Sequence, residues 1–337
     1  MRVAVLAGGV GGARFLRGLR QHLRQVMPDE SGGTTAKISA VINTGDDLWL
    51  TGLRVCPDLD SVMYALAGVN NESQGWGRDG ETERVSAELK AYGVGWPWFT
   101  LGDLDLGTHI TRSYLLRSGA PLSEVTRRLA SRWDIGIEML PMSDDEVETH
   151  VVLGDSKRDE PEVVHFEEWW VRYRAQRPAR EFVQSGLGGS SPAPGVLEAI
   201  SDAEAIILAP SNPVVSLGTI LNVPGIREAL QAAPGPIVGI SPIISGAAVR
   251  GMAEACLSAI GVRTRADAVA LHYGARSSGG ILDAWLIDNT DAGLSDSIAR
   301  AGIRPVVAPL WMNDIHASAD LAAAALAAAS MAKMPEA

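Results

Sequence analysis

Two segments near the amino terminus concentrate groups that can handle phosphate. The first is Gly8-Gly9-Val10-Gly11-Gly12-Ala13-Arg14, between an apolar run and a helical pattern. Glycines let backbone N–H groups approach a phosphate without a Cβ in the way, and a helix amino terminus favours negative charge. The spacing is not G-x-G-x-x-G: counted from Gly9, the last glycine position falls on Arg14. The next strand ends in Asn43-Thr44, where a dinucleotide site would need an acid for the ribose. No Gly-Lys-Ser/Thr stretch marks a Walker A loop. Gly8, Gly9, Gly11 and Gly12 therefore read as phosphate or nucleotide contacts, or as a tight βα turn with no ligand.

The second segment is acidic. Asn43-Thr44-Gly45-Asp46-Asp47-Leu48-Trp49 is followed by Cys56-Pro57-Asp58-Leu59-Asp60-Ser61, which opens a helical pattern. Asp58 suits an N-cap and Asp60 suits the helix dipole. Neither role explains four carboxylates brought to one edge by short connections. Hard oxygen ligands beside a phosphate loop are what Mg²⁺ uses, so Asp46, Asp47, Asp58 and Asp60 are candidate metal ligands.

A third constellation runs Leu101-Gly102-Asp103-Leu104-Asp105-Leu106-Gly107-Thr108-His109 and leads to Arg112. If it is helical from Asp103, Asp105 and His109 lie one turn apart on one face. His109 is then an orienting group or a general base, and the plainer alternative is a capping Asp with a solvated or satisfied His. Pro210-Ser211-Asn212-Pro213 places Asn212 as an N-cap with Pro213 at the first helical position. Ser211 and Asn212 are candidate ligand contacts there. Ser241-Pro242-Ile243-Ile244-Ser245-Gly246 repeats the arrangement.

The elements that must position these groups alternate between strand and helix. Strands are expected at residues 3–7, 37–43, 205–209, 237–241, 284–287 and 305–308. Helices are expected at 12–26, from near Asp58, and at 249–260. Apolar strands separated by helices indicate an α/β fold, a Rossmann-like, mostly parallel sheet with helices on both faces. Residues 69–134 read as mainly helical, and 148–183 as strands plus a Trp-rich helix around 169–174. We expect one α/β domain over residues 1–337, with a helical insertion at about 69–183 forming part of the substrate site.

The composition excludes several classes. The 337 residues carry 40 acidic against 29 basic side chains, a formal net charge of −11. That sign offers no footprint for nucleic acid or an anionic membrane surface. The two cysteines have no metal-ligand spacing and no partner framework. The apolar opening is a strand rather than a signal peptide, and no uninterrupted apolar run approaches the ~18 residues of a bilayer span. An alanine-rich stretch at 317–333 reads as a terminal helix packed on the core. A soluble, cytoplasmic protein is expected.

Taken together, the segments resemble the 2-phospho-L-lactate transferase family of coenzyme F-420 biosynthesis. The glycine loop, the Asn43–Trp49 segment and Pro57-Asp58-Leu59-Asp60 carry the likeness, with Leu101-Gly102-Asp103 and Thr108-His109. Leu140-Pro141-Met142-Ser143-Asp144-Asp145, Pro210-Ser211-Asn212-Pro213 and Ser241-Pro242-Ile243-Ile244 continue it in order. Val10-Gly11-Gly12-Ala13-Arg14-Phe15 and the segment Glu168-Trp169-Trp170-Val171-Arg172-Tyr173-Arg174 look most like the actinobacterial branch. The resemblance implies Mg²⁺, a homodimer, a guanylated three-carbon acid as donor and a deazaflavin alcohol as acceptor. The ribityl hydroxyl would attack the phosphorus bearing the acid, and GMP would leave. The actinobacterial branch implies an enolpyruvyl donor; residue chemistry alone leaves lactyl and enolpyruvyl open.

Under that resemblance Asp58 and Asp60 are the catalytic candidates, since either could accept the hydroxyl proton. Asp60, Trp49, Trp98, Asp103 and His109 fall on the deazaflavin side, and Trp76 could join them by stacking. Two other classes share features. Regulatory gluconeogenesis-factor proteins look similar in the glycine loop and the Asp-rich second loop, but bind a nucleotide sugar as sensors. A nicotinamide-dependent dehydrogenase would need the fingerprint spacing and ribose acid that are missing.

Overall fold

The structure, a computed structural model, describes residues 1–154 and 161–332. Seven parallel strands form one sheet in the order Arg304–Val307, Ala284–Ile287, Ile237–Ile240, Ala205–Leu208, Arg2–Ala7, Lys37–Ile42 and Glu138–Pro141. The registers bring Val3 beside Ile38 on one side and beside Ala205 on the other. Both faces are covered, which is why the strands read as continuous apolar runs rather than alternating ones.

Alternate residues of each strand feed two cores. Val3, Val5, Ile207 and Val238 point to the face covered by the helices Gly9–Val26, Pro57–Ala67 and Ile315–Ala332. Ala4, Leu6, Ile206 and Trp285 point to the opposite face, beneath Leu217–Asn222, Ile226–Ala232 and Ala266–Tyr273. The Ile315–Ala332 helix is long and apolar enough by length and composition to cross a membrane. Here its Leu321, Ala322, Ala325 and Ala329 are buried in the first core. Residues 333–337, which include the end of the expected 317–333 helix, lie outside the described residues.

Chain direction across the sheet reverses at Arg2–Ala7. The chain first moves outward to Lys37–Ile42 and Glu138–Pro141, then returns to lay Ala205–Leu208 on the other side of the first strand. Such a switch point leaves a crevice beyond the carboxyl ends of the strands. Gly8 and Pro210 both stand at that crevice.

Several boundaries differ from those expected. The first helix begins at Gly9 rather than at residue 12, because the glycine loop is itself its first turn. Glu138–Pro141 is an unanticipated seventh strand of the main sheet, so residues 69–183 are not one separate block. Four residues ending in proline give little strand signal, and proline is tolerated at this sheet edge. Asn212 caps a turn instead of a helix; the helix starts at Leu217. Residues 243–248 form a small hairpin, and the helix expected at 249–260 is confined to Ala253–Ala259.

Two further elements carry side chains to the crevice. A hairpin pairs Leu48–Leu50 with Leu53–Val55. Its turn residues Thr51 and Gly52 both have positive φ, as a two-residue hairpin of this twist requires. A three-stranded antiparallel sheet centred on Glu148–Leu153 leads from Val163–His165 into the short helix Glu168–Arg172.

Candidate functional site

The glycine loop owes much of its composition to packing. A Cβ on Gly11 would lie 2.3 Å from the Pro210 carbonyl oxygen, and one on Gly8 would lie 2.6 Å from Asp58 Oδ2. One on Gly12 would meet the Ala7 Cβ at 2.8 Å. Ser211 closes the switch point: its Oγ accepts the Gly8 N–H (3.0 Å) and donates to the Gly8 carbonyl (2.7 Å). Gly9, with φ of +62°, starts the helix and gives its N–H to Asp58. Asn212 is occupied locally. Its Oδ1 accepts the N–H groups of Val214 and Val215 at 2.9 and 3.2 Å, and its Nδ2 faces Cys256 Sγ at 3.4 Å.

Asp58 is not the N-cap the sequence suggested. Cys56 occupies that place with Pro57 at the first helical position, so Asp58 is free to turn toward the glycine loop. Asn43 Nδ2 donates to both Asp58 Oδ2 (2.9 Å) and Asp46 Oδ2 (3.1 Å). Its amide orientation is set by Gly45, whose N–H donates to Asn43 Oδ1 at 2.9 Å. Asp46 Oδ1 is buried without a hydrogen-bond partner. Glu167, at the entrance to the Glu168–Arg172 helix, faces the same group.

The electrostatics of this group are one-sided. Burial, then the charges of Asp58, Glu167 and Asp47, push Asp46 well above the ordinary carboxylate range. Burial raises Asp58 to about 6, although Asn43 and the Gly9 N–H oppose it. Glu167 is raised to about 8 by burial and by Asp58 and Asp47. Among the described residues no Lys, Arg or His pairs with Asp46, Asp58 or Glu167 within 4.0 Å, whereas ion pairs elsewhere are common. Oxygen donors crowded together with an orphaned buried oxygen fit a hard divalent cation. Asp47, raised by burial to about 7, is the intermediate case, because Arg54 stands 3.9 Å from it and opposes the shift. Arg54 is itself buried and hydrogen-bonded to Glu148 at 3.0 Å.

Asp60 belongs to a different neighbourhood. Both its oxygens accept from the buried guanidinium of Arg112, whose Nη1 also contacts the Arg54 carbonyl and His109 Nδ1. His109 Nδ1 stands 3.2 Å from Arg112 Nη1 and 3.6 Å from Asp60 Oδ2. Nε2 lies 3.3 Å from Asp105 Oδ2, and Asp105 Oδ1 accepts the Tyr64 hydroxyl at 2.6 Å. The expected helix is present as Asp103–Arg117, and it sets Asp105 and His109 one turn apart as the spacing required. Ligand atoms of Asp60, Asp105 and His109 lie within 4.8 Å of one another, close enough for a metal ion. Arg112 already supplies the positive charge there, which disfavours a second cation.

The remaining candidates are spread around the rim. Half-exposed Trp49 donates from Nε1 to Glu146 at 3.0 Å, with the guanidiniums of Arg54 and Arg117 5.8 and 5.7 Å from its ring. Trp98 stacks on Trp96 at 4.8 Å, and both line a cavity of about 470 Å³ with Pro97, Glu168 and Arg172. Asp103 is exposed and spends its carboxylate on Thr82 and the Leu104 N–H. The structure thus gathers the glycine loop, Ser211, Asp46, Asp47 and Asp58, but not Asp60, Asp103 or His109. Sequence reasoning missed Asn43, Arg54 and Glu167 as members. Glu167 did leave a trace, as one of two acids, with Glu168, set between Phe166 and Trp169.

A parallel sheet with a glycine loop at its switch point, facing buried carboxylates, defines an α/β protein of Rossmann-like type. The 2-phospho-L-lactate transferase CofD family model matches residues 3–315, so this chain belongs to that family, the transferases of coenzyme F-420 synthesis. The phosphoenolpyruvate transferase of Thermobifida fusca is 54% identical over 326 residues, covering 97% of each chain. Those of Streptomyces griseus and a Mycobacterium sp. (strain KMS) are 54% and 50% identical, over 97% and 95% of this chain and 98% and 96% of theirs. Among solved structures, protein BH3568 of Bacillus halodurans superposes with a TM-score of 0.61 over 96% of this chain and 99% of its own. At 18% identity that likeness shows the shared fold alone.

Proposed function

We propose that this transferase moves a phosphoenolpyruvyl group from a guanosine-diphosphate-linked donor to the ribityl hydroxyl of 7,8-didemethyl-8-hydroxy-5-deazariboflavin. The observation that carries the reading is the buried, cation-free group of Asp46, Asp58 and Glu167 beside the glycine loop. Phosphoryl transfer needs charge neutralisation and in-line positioning more than covalent catalysis. The relatives at 50–54% identity are phosphoenolpyruvate transferases, which supports the enolpyruvyl over the lactyl donor. A cytoplasmic homodimer belongs to the same reading and rests on the family resemblance.

Asp46 and Asp58 would hold Mg²⁺ or orient its waters, with Asp47 and Glu167 facing it. When bound, the ion would neutralise phosphate charge as the phosphorus–oxygen bond to GMP breaks. The first-turn N–H groups of Val10 and Gly11 supply neutral donors to the phosphates. The attacking hydroxyl oxygen bonds to the phosphorus carrying the three-carbon acid, and GMP departs with the electrons of the broken bond. We assign the hydroxyl proton to Asp58 rather than Asp60, because both Asp60 oxygens are already committed to Arg112. Asp60, His109 and Arg112 then act by fixing the Pro57–Ala67 helix that carries Asp58. The Trp96–Trp98 cavity offers stacking faces for the planar acceptor.

The test supplies both guanylated donors, the deazaflavin alcohol and Mg²⁺, and follows GMP and product mass. Enolpyruvyl transfer with GMP release is expected. No GMP release with either donor would sink the reading.

A further inference from the structure

Arg14 and Arg250 are neighbouring positive charges, and among the described residues neither forms an ion pair with an acid. Arg14 lies in the second turn of the Gly9–Val26 helix. It sits two residues beyond Gly12, on the helix that the glycine loop opens. Arg14 Nη1 reaches the Met312 carbonyl at 3.4 Å. Arg250 precedes the Ala253–Ala259 helix, whose Cys256 contacts Asn212 at the switch point and feels the charge of Asp46. Its Nη2 donates to the Gln74 carbonyl at 2.7 Å. Backbone carbonyls position these groups without neutralising them.

Among the described residues neither guanidinium has a carboxylate within 4.0 Å, in a chain with 40 acidic residues. Of the other arginines of that helix, Arg17 pairs with Glu72 at 2.8 Å and Arg24 with Asp134 at 3.9 Å, while Arg20 is tied to the Leu66 and Ile135 carbonyls at 2.9 and 2.6 Å, far from the loop end of the helix. Partial burial and the proximity of Arg14 hold Arg250 below its ordinary value. Two like charges are thus kept together although acids are plentiful. Each guanidinium offers five N–H donors and spends one on a carbonyl, leaving forks that match phosphate oxygens.

We propose that Arg14 and Arg250 form a cationic wall of the donor site, gripping the diphosphate of the guanosine-diphosphate-linked donor across from the Asp46–Asp58 carboxylates. The assignment rests on the functional reading above and extends it to the donor's binding residues. A diphosphate carries charge on both sides of its bridging oxygen. A cation on the carboxylate side and guanidiniums on the other would neutralise it together.

The test is calorimetric binding of GDP, with guanosine as the phosphate-free probe, to the full chain in Mg²⁺ and in chelator. Arg14→Gln and Arg250→Gln should each weaken GDP by about 10-fold or more in both conditions, and leave guanosine unchanged. Arg17→Gln, one turn along and already paired, should stay within about twofold. Thermal unfolding should show both site variants folded, since neither side chain is in the core. GDP affinities within about twofold of wild type, or equal losses of guanosine and GDP, would overturn the proposal. Failure of the transferase reading is distinguishable: wild type would bind GDP through both arginines yet release no GMP from either donor.

Discussion

Asp58 and Asp60 stand two residues apart in the first turn of one helix, and residues so spaced do not share a face. Asp60 turns to Arg112 and His109, and its charge is answered by a buried guanidinium. Asp58 turns to the glycine loop, where among the described residues the neutral donors Asn43 and Gly9 meet it and Asp46 and Glu167 crowd it. The pair shows that buried acids of similar depth can serve opposite ends. One completes the fold as it stands, and the other is left with negative charge that a ligand cation can satisfy. Burial alone would not separate them; the identity of the facing groups does.

The largest expected effect is on turnover. Asp58→Asn should lower kcat by about 10²–10⁴-fold, measured by GMP release at saturating Mg²⁺, while unfolding in chelator shows no loss of stability. Near wild-type turnover would remove Asp58 from the chemistry. Next in size is Arg112→Met, which strands the buried Asp60 carboxylate. It should cost about 3–5 kcal/mol in denaturant unfolding. A change below about 1 kcal/mol would mean that Asp60 is not held as described.

A smaller effect comes from pH. Asp58, Asp47 and Glu167 titrate in the folded state near about 6, 7 and 8, above ordinary carboxylates. The folded chain therefore holds protons that the unfolded chain has released above about pH 4, and stability falls as pH rises through these values. In chelator, Tm should drop by a few degrees between about pH 5 and 8. Mg²⁺ should restore it more at the alkaline end, where the carboxylates are ionised. A Tm that rises across this window in chelator would contradict the uncompensated cluster.

Much of this was legible in the sequence. The glycine loop after an apolar run, and Asn43-Thr44-Gly45-Asp46-Asp47 after the next, mark consecutive strand ends without any structure. The Asp105–His109 spacing likewise survives, because a helical face is a local property. What was not legible depends on long-range partners. Asp60 looks equivalent to Asp58 until Arg112, 52 residues away, is folded against it. Glu167 joins the cluster only because the antiparallel sheet returns the chain to the crevice. Glu138–Pro141 is a strand by virtue of its neighbour Lys37–Ile42, not its own four residues. The glycines were read for ligand approach, whereas Gly11 and Gly12 are also required by contact with Pro210 and Ala7.

Mg²⁺ binding in the presence of GDP, compared between Asp46→Asn and Asp105→Asn, tests the central claim most directly. Asp46 belongs to the cation-free group, and Asp105 to the set with metal-compatible spacing that Arg112 already neutralises. Calorimetry should show Mg²⁺ affinity reduced by about 10-fold or more in Asp46→Asn and essentially retained in Asp105→Asn. The reverse pattern would place the cation with Asp60, Asp105 and His109 and contradict the account.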